Sequence, residues 1–481
     1  MPELSRRRRL LVLAICCLSL LIVGMDNTIV NIALTSIHLD LHASLSDLQW
    51  TIDAYTLVLA SLLILSGSTA DRIGRRRIFQ TGLVVFTVGS LLCSLAPSLV
   101  WLVAFRMVQA VGGSMLNPVA MSIITNVFTD ARERAFAIGV WGGVIGISIG
   151  LGPVVGGVLI ESVGWRGIFW INIPIGITAL VLAALYVPES RAPRARRLDV
   201  LGQSLVVVMF AALTYAIIEA PHRGWSAVST LGLLALSFVA ALVLIGYERR
   251  RQEPLLDLRF FRSAPFSGAT VIAICAFGAF AGFLFLNTLY LQSVRGFSAL
   301  VAGACTLPLA LGMLIFAPLS GRIVGTRGTR IPLLIAGIAM CAAGTMLVRL
   351  TAHTSMWWVI ASYSVFALGF GMVNAPITNT AVSGMPRSQA GVAAAIASTS
   401  RQLGATLGVA VVGSVLNSGL GRRGLRAGFV DASRFAWWII AGCGLGVLVF
   451  GLIASGRWAR GTADETAKLF ADEDTFVAVG A

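Results

Sequence analysis

Hydrophobic and polar positions in this chain alternate in long blocks, not residue by residue. Apolar runs recur near residues 10–35, 49–70, 78–97, 99–124, 135–160, 167–187, 199–219, 228–247, 266–293, 300–322, 331–350, 355–379, 391–418 and 435–456. A helix needs about 20 apolar residues to cross a hydrocarbon core of roughly 30 Å, and each run approaches or exceeds that length. Barrel strands would read as short alternating segments instead. The pattern predicts an all-α polytopic membrane protein with fourteen transmembrane helices.

Two longer polar stretches, 188–199 and 248–263, bracket one helix pair and leave six runs on either side. The expected organisation is a six-helix bundle over 1–190, a two-helix insertion with cytoplasmic linkers over 191–263, and a second six-helix bundle over 264–460. An acidic, disordered cytoplasmic tail is expected over 461–481. A weak echo between GSTADRIGRRR (67–77) and SGRIVGTRGTR (320–330) suggests that the two bundles are repeats.

Composition agrees: 57% of residues are hydrophobic and 12% charged, with a mean hydropathy of +0.87, so lipid is the expected solvent. The net charge of +15 would point to nucleic acid in a soluble protein. Here the arginines gather in alternate loops: Arg6–Arg9, then Arg72 and Arg75–Arg77, Arg132 and Arg134, Arg191 to Arg197, Arg249 to Arg262, and Arg322 to Arg330. The positive-inside rule puts these loops and both termini in the cytoplasm, with Arg422, Arg423 and Arg426 as a local exception. No nucleic-acid partner is implied. The first run is too long for a signal-peptide core and lacks a small-residue cleavage site, so it is expected to remain as a helix. Seven cysteines lie in apolar runs without metal-ligand spacing, and are expected to be free thiols. With no phosphate-binding loop, metal cluster or nucleophile elbow, an enzyme, a cofactor and a metal site all lack support.

Charges at membrane depth are functional hypotheses by default. Asp26 falls about 16 Å below the outer surface and Arg106 about 10 Å, at 1.5 Å per residue, so the two can meet. Such a pair is either a proton-handling site, loading when a conformational change separates the carboxyl from the arginine, or a static bridge that fixes helix packing. Arg106, Gln109, Gly113 and Asn117 form one polar stripe, which lines a cavity or glues helices together. The loop Gly67, Asp71, Arg72, Gly74, Arg75 and Arg76 sets one carboxylate among guanidiniums at the cytoplasmic ends of two helices. It either latches the two halves together in one state or merely sets topology. Asp53 reads as an anion near the start of its helix.

These stretches carry a family resemblance. G-x-x-x-D-R-x-G-R-R, from Gly67 to Arg76, resembles the signature loop of the major facilitator superfamily. Arg106, Gln109, Gly112, Gly113 and Pro118 resemble its fourth-helix motif, with Ala110 where a glycine is usual. Gly142, Gly146, Gly150, Gly152, Pro153, Gly156 and Gly157 resemble the fifth-helix motif of its antiporters. MDNTIVNIAL (25–34) and WRGIFWINIPIG (165–176) resemble the fourteen-spanner drug:proton antiporter branch, and TSRQLGATLGVAV (399–411) adds a C-terminal match.

The resemblance implies two six-helix bundles and two inserted helices working by alternating access. It also implies export of small amphipathic or lipophilic compounds in exchange for protons, across the bacterial cytoplasmic membrane and without a cofactor. Asp26 is then the protonation site, Arg106 its coupling partner, the Gly67–Arg76 loop the cytoplasmic gate and the Gly142–Gly157 helix the bending element. Asn31, Tyr55, Gln109, Asn117, Phe283, Asn287, Tyr290, Asn374, Asn379 and Arg401 are candidates to line a mixed apolar and polar substrate cavity. A monomer is expected to suffice. The alternatives are an exporter of an endogenous lipid or secreted metabolite, and a non-transporting scaffold for envelope assembly.

Overall fold

The structure, a computed structural model, describes residues 5–191, 199–251, 257–383, 390–421 and 424–479, with only the backbone described for a few helical residues. The helices run α1 (Arg6–Leu41), α2 (Leu45–Ile73), α3 (Arg75–Ser94), α4 (Leu99–Val127), α5 (Ala131–Val163) and α6 (Gly167–Tyr186). After them come α7 (Val200–Arg223), α8 (Val228–Glu248), α9 (Ala264–Val294), α10 (Ala299–Arg327) and α11 (Arg330–Leu347). The chain finishes with α12 (Met356–Val382), α13 (Ala390–Leu420), α14 (Leu425–Ala454) and α15 (Arg457–Val479).

Local chemistry sets the boundaries. Ser44 and Asp47 form a reciprocal capping box at the start of α2, so Asp47 supplies the anion at that helix terminus. Gly74, at φ +130°, separates α2 from α3 with a backbone that a side chain would strain. Within α6 the chain turns at Ile171, and α9 relaxes into a π turn over Tyr290–Val294.

Twelve described helices are long and apolar enough to cross a membrane, and α2, bent by 49° between Leu63 and Leu65, brings the number to thirteen. The remaining run, near 135–160, belongs to α5, whose apolar stretch is the shorter Ile147–Val163. The tail is a correction. Instead of being disordered from Gly461, the chain continues as α15, because Ala459, Ala463 and Thr466 form a small buried face. That face docks beside the start of α9, where Thr462 Oγ1 accepts from the Ala264 amide at 3.0 Å. The seven cysteines are free. Arg194, Arg196, Arg197, Arg422 and Arg423 lie outside the described residues.

Packing repeats. In the first half α1 packs on α5 and α6, α4 on α2 and α3, and α3 on α6; in the second, α9 packs on α13 and α14, α12 on α10 and α11, and α11 on α14. Adding eight to each helix number of the first set gives the second. The contacts that join the halves, α2 with α13 and α5 with α10, exchange under the same operation. They lie toward the face opposite the arginine-rich one. There Gln49 Nε2 donates to Val409 O and Ala410 O at 3.3 and 3.1 Å, and Thr406 Oγ1 donates to Thr56 Oγ1 at 2.8 Å. Gln292 Nε2 donates to Ile32 O at 2.8 Å, and the Leu300 amide to Glu161 at 3.0 Å. The hairpin α7–α8 lies outside both sets, with α7 seated on α2 and α13 together.

Glycines permit a close crossing between α9 and α13. A Cβ on Gly404 would stand 2.5 Å from Ile274 O, and one on Gly408 would run into the Gly278 backbone. Gly408→Leu is therefore expected to cost about 1–3 kcal/mol of stability, read as a lower thermal midpoint of the purified protein in detergent.

Candidate functional site

The buried ion pair forms. Arg106 Nη1 on α4 lies 2.5 Å from Asp26 Oδ2 on α1, with the two side chains 1% and 0% exposed. A desolvated charge pair is tolerated only when its remaining hydrogen-bonding capacity is met. Here Gln109 of α4 and groups from three other helices meet it. Asp26 Oδ1 accepts from Gln109 Nε2 at 2.9 Å and from Asn172 Nδ2 of α6 at 3.0 Å. Both amides also donate to Ser90 Oγ of α3, at 3.2 and 3.0 Å, and that hydroxyl donates onward to Phe169 O. Arg106 donates further to Gln109 Oε1 at 2.9 Å and to Thr51 O of α2 at 3.3 Å, and its guanidinium lies 4.1 Å from the Tyr55 ring centroid. Three N–H donors from two helices thus converge on one carboxyl.

Of the expected site residues, Asp26, Arg106, Gln109 and Tyr55 thus come together in the first half. Asn172, Ser90 and Thr51 were not singled out from sequence. Asn172 stands inside the WRGIFWINIPIG stretch, and its amide in an otherwise apolar run was the available signal. Ser90 and Thr51 carried none, because serine and threonine are common in such helices and act here through contacts only the fold defines.

The arginine loop is wired differently from expectation. Asp71 pairs with Arg75 one turn away, at 2.9 Å. The partner across the loop is Glu189, just beyond α6: its carboxylate accepts from the Arg76 amide at 3.2 Å and lies 3.8 Å from Arg77. The Arg75 amide donates to Ser190 O at 2.9 Å, and Arg76 Nη2 to Ala184 O at 2.5 Å. Among the described residues, then, the loop is latched to its own half and not to the other, because the α6 C-terminus emerges beside it. Gly74 sits against Glu189, where a Cβ would fall 2.6 Å from the carboxylate. Arg72 is exposed, and Gly67 meets Pro118 of α4.

Helix α5 is held between α1 and α10. Gly152 and Gly156 face Thr28 and Ile29, Gly150 faces Ala310, and a Cβ on Gly157 would fall 2.6 Å from Leu300 Cα. Pro153 lines a small apolar cavity with Gly150, Phe280, Leu284, Ala310 and Met313, where α5 meets α9 and α10. The surroundings of Gly142 and Gly146 lie outside the described residues.

The second-half cavity candidates divide. Phe283, Asn287 and Tyr290 do share a face, but that face is turned into the core, which corrects the expectation. Phe283 stacks on Phe366 at 4.1 Å and meets Trp437, Asn287 Oδ1 accepts from Tyr363 Oη at 2.5 Å, and Tyr290 Oη donates to Thr351 O at 2.7 Å. A shared helical face does not say which neighbour it meets, and aromatic area favours burial between α9, α12 and α14. This junction of helices corresponds, under the repeat, to that of α1, α4 and α6, with a neutral amide and phenol where the first half has an ion pair. Arg401 takes Thr378 Oγ1 at 2.5 Å, lies 5.9 Å from the Phe277 ring and keeps a buried Nε unpartnered. Asn379 is exposed, Asn374 half-buried one turn before Thr378, and Asn31 and Asn117 keep unpartnered carbonyl oxygens. Among the described residues no group of three or more His, Cys, Asp or Glu could hold a metal ion.

A fold of two repeated six-helix sets, with a charged network sealed inside one of them, defines a secondary-transporter architecture. The sequence profile of the Major Facilitator Superfamily matches residues 16–409. The chain belongs to that family, whose members are transporters and not enzymes. It is 37% identical over 410 residues to "Multidrug resistance protein Stp" of Mycobacterium tuberculosis, covering 85% of this chain and 76% of that protein. It is 37% identical over 407 residues to "Tetracenomycin C resistance and export protein" of Streptomyces glaucescens, covering 83% and 74%. A crystal structure of a bacterial homolog of the human lysosomal transporter Spinster, inward-facing and occupied, shares the fold, with a TM-score of 0.63 at 18% identity over 96% of this chain and 98% of that one.

Two outcomes check this site. Arg106→Ala leaves Asp26 buried without its counter-charge and is expected to cost about 3–5 kcal/mol; the double change Asp26→Asn with Arg106→Gln should recover much of that, as a thermal double-mutant cycle would read. Gly74→Ala forces a side chain onto Glu189 at positive φ and should lower the midpoint by more than Arg72→Ala does.

Proposed function

We propose that this protein is a proton-coupled antiporter exporting small amphipathic compounds across the bacterial cytoplasmic membrane by alternating access. The observation that carries the reading is the Asp26 network: a carboxylate at membrane depth, held by an arginine and two amides from separate helices. Its cost makes sense in a group that must change protonation. The curated relatives, named for multidrug resistance and for antibiotic export, supply the cargo class.

In this reading Asp26 is the exchanging carboxyl and Arg106 its coupling partner. The halves meet toward the arginine-poor face, so this conformation is open toward the arginine-rich, cytoplasmic side. Both termini are cytoplasmic. The bundles are residues 1–190 and 264–460, with 191–263 inserted between them, and one copy suffices. The Asp71–Arg75 loop, latched to Glu189, stiffens the cytoplasmic end of the first half so that it moves as one body. Helix α5, gripped by α1 and α10, is the element about which the halves rock. Asn31, Asn117, Asn374 and Arg401 face the cargo.

The tetracenomycin relative favours a second reading, in which the natural cargo is a secreted metabolite and drug resistance is incidental.

Inverted vesicles loaded with the parent chain should move a lipophilic cationic dye when a proton gradient is imposed, and Asp26→Asn should lower that flux at least about tenfold, the effect of losing roughly 1.4 kcal/mol or more of coupling. Undiminished transport in a correctly inserted Asp26→Asn protein would refute the coupling role, and dye flux that ignores the gradient would refute antiport.

A further inference from the structure

Asp53 is the other carboxyl at membrane depth, and its surroundings are the reverse of those of Asp26. Its side chain is fully buried and, among the described residues, neither carboxyl oxygen has a hydrogen-bond partner. The start of α2 is not what holds it, since that role falls to Asp47.

Its place in the fold is informative. Gln49, Asp53 and Thr56 recur at i, i+4 and i+7, one face of α2. The two flanking residues are those that bridge to α13, Gln49 to Val409 and Ala410 and Thr56 to Thr406. One turn further out, Ser46 Oγ donates to Ile218 O of α7 and accepts from Asn417 Nδ2 of α13. Asp53 therefore stands in the seam that joins the halves toward the arginine-poor face, with α7 seated on both seam helices nearby.

Charges on the surrounding helices are engaged elsewhere. Arg106 of α4 holds Asp26 of α1, with Tyr55 beneath it, and Cys93 of α3 lies beside Gln109. On α7, Arg223 reaches Glu219 and Tyr215, and His222 meets Asn417. Arg401 of α13 is on Thr378. None is within ion-pair or hydrogen-bond distance of Asp53.

We propose that Asp53 is a second proton-binding site, which holds a proton while the α2–α13 seam is closed and gives it up when the seam parts. A neutral carboxyl can be packed dry between helices, whereas an ionised one without a counter-charge cannot. Binding of the proton therefore favours closure at the arginine-poor face, and its loss favours opening there. The inference rests on alternating access but not on Asp26 as the carrier.

The test uses the full chain, purified in detergent. In the infrared difference between parent and Asp53→Asn at neutral pH, the C=O stretch of a protonated carboxylic acid should appear in the parent, vanish in Asp53→Asn and persist, shifted, in Asp53→Glu. Spin labels at Leu39 and Val301, exposed residues on opposite halves, should report an open-to-closed ratio rising with pH, by at most about tenfold per unit for a single proton. Asp53→Asn should flatten that response. Absence of the parent band, or an Asp53→Asn protein that keeps the parent's pH response, overturns the proposal. Because neither readout involves a dye, failure of the export reading would leave them unchanged.

Discussion

A charge placed in a medium of low dielectric has to be answered by other polar groups, and the first half of this protein is arranged around that requirement. Desolvating an ion pair costs several kcal/mol per ion even after relaxation. Asp26 and Arg106 are kept in the membrane by Gln109, Asn172, Ser90 and the Thr51 carbonyl, which come from α4, α6, α3 and α2. Five of the first six helices thus have their relative positions fixed by one polar cluster. The sixth, α5, takes no part in it and is held instead by close glycine contacts, an ion pair of Glu133 with Arg9 of α1, and the Glu161 bond to the Leu300 amide. The helix free of the network is also one that touches the other half.

The two halves share a packing plan and differ in polarity. At the junction where α1, α4 and α6 hold an ion pair, α9, α12 and α14 hold stacked aromatic rings and the Asn287–Tyr363 hydrogen bond. One half buries a charged network at this junction, and the other an apolar aromatic cluster. Between them the seam combines apolar packing with a handful of hydrogen bonds at Gln49, Gln292, Glu161 and the Thr406–Thr56 pair. The inserted α7 touches both α2 and α13, so any parting of the seam has to carry or release this helix.

By itself the sequence determined the solvent, the helices and the principal charged residues, because runs of apolar residues with arginines in alternate breaks leave a chain few arrangements in a bilayer. Asp26 and Arg106 were legible as partners from depth alone. What only the tertiary structure decided was the direction in which each helix face turns. Phe283, Asn287 and Tyr290 line up on α9 whether they meet a cavity or a core, and packing chose the core. The arginine loop was visible but its partner Glu189 was not, since that residue reaches it only because α6 ends beside α3. Asp53 read as an anion at a helix start until its face of α2 met α13. The acidic tail became a helix because small residues on one face found a surface to dock on. Helical periodicity tells which residues share a face, and contacts between segments distant in sequence tell what that face meets, which no local pattern encodes.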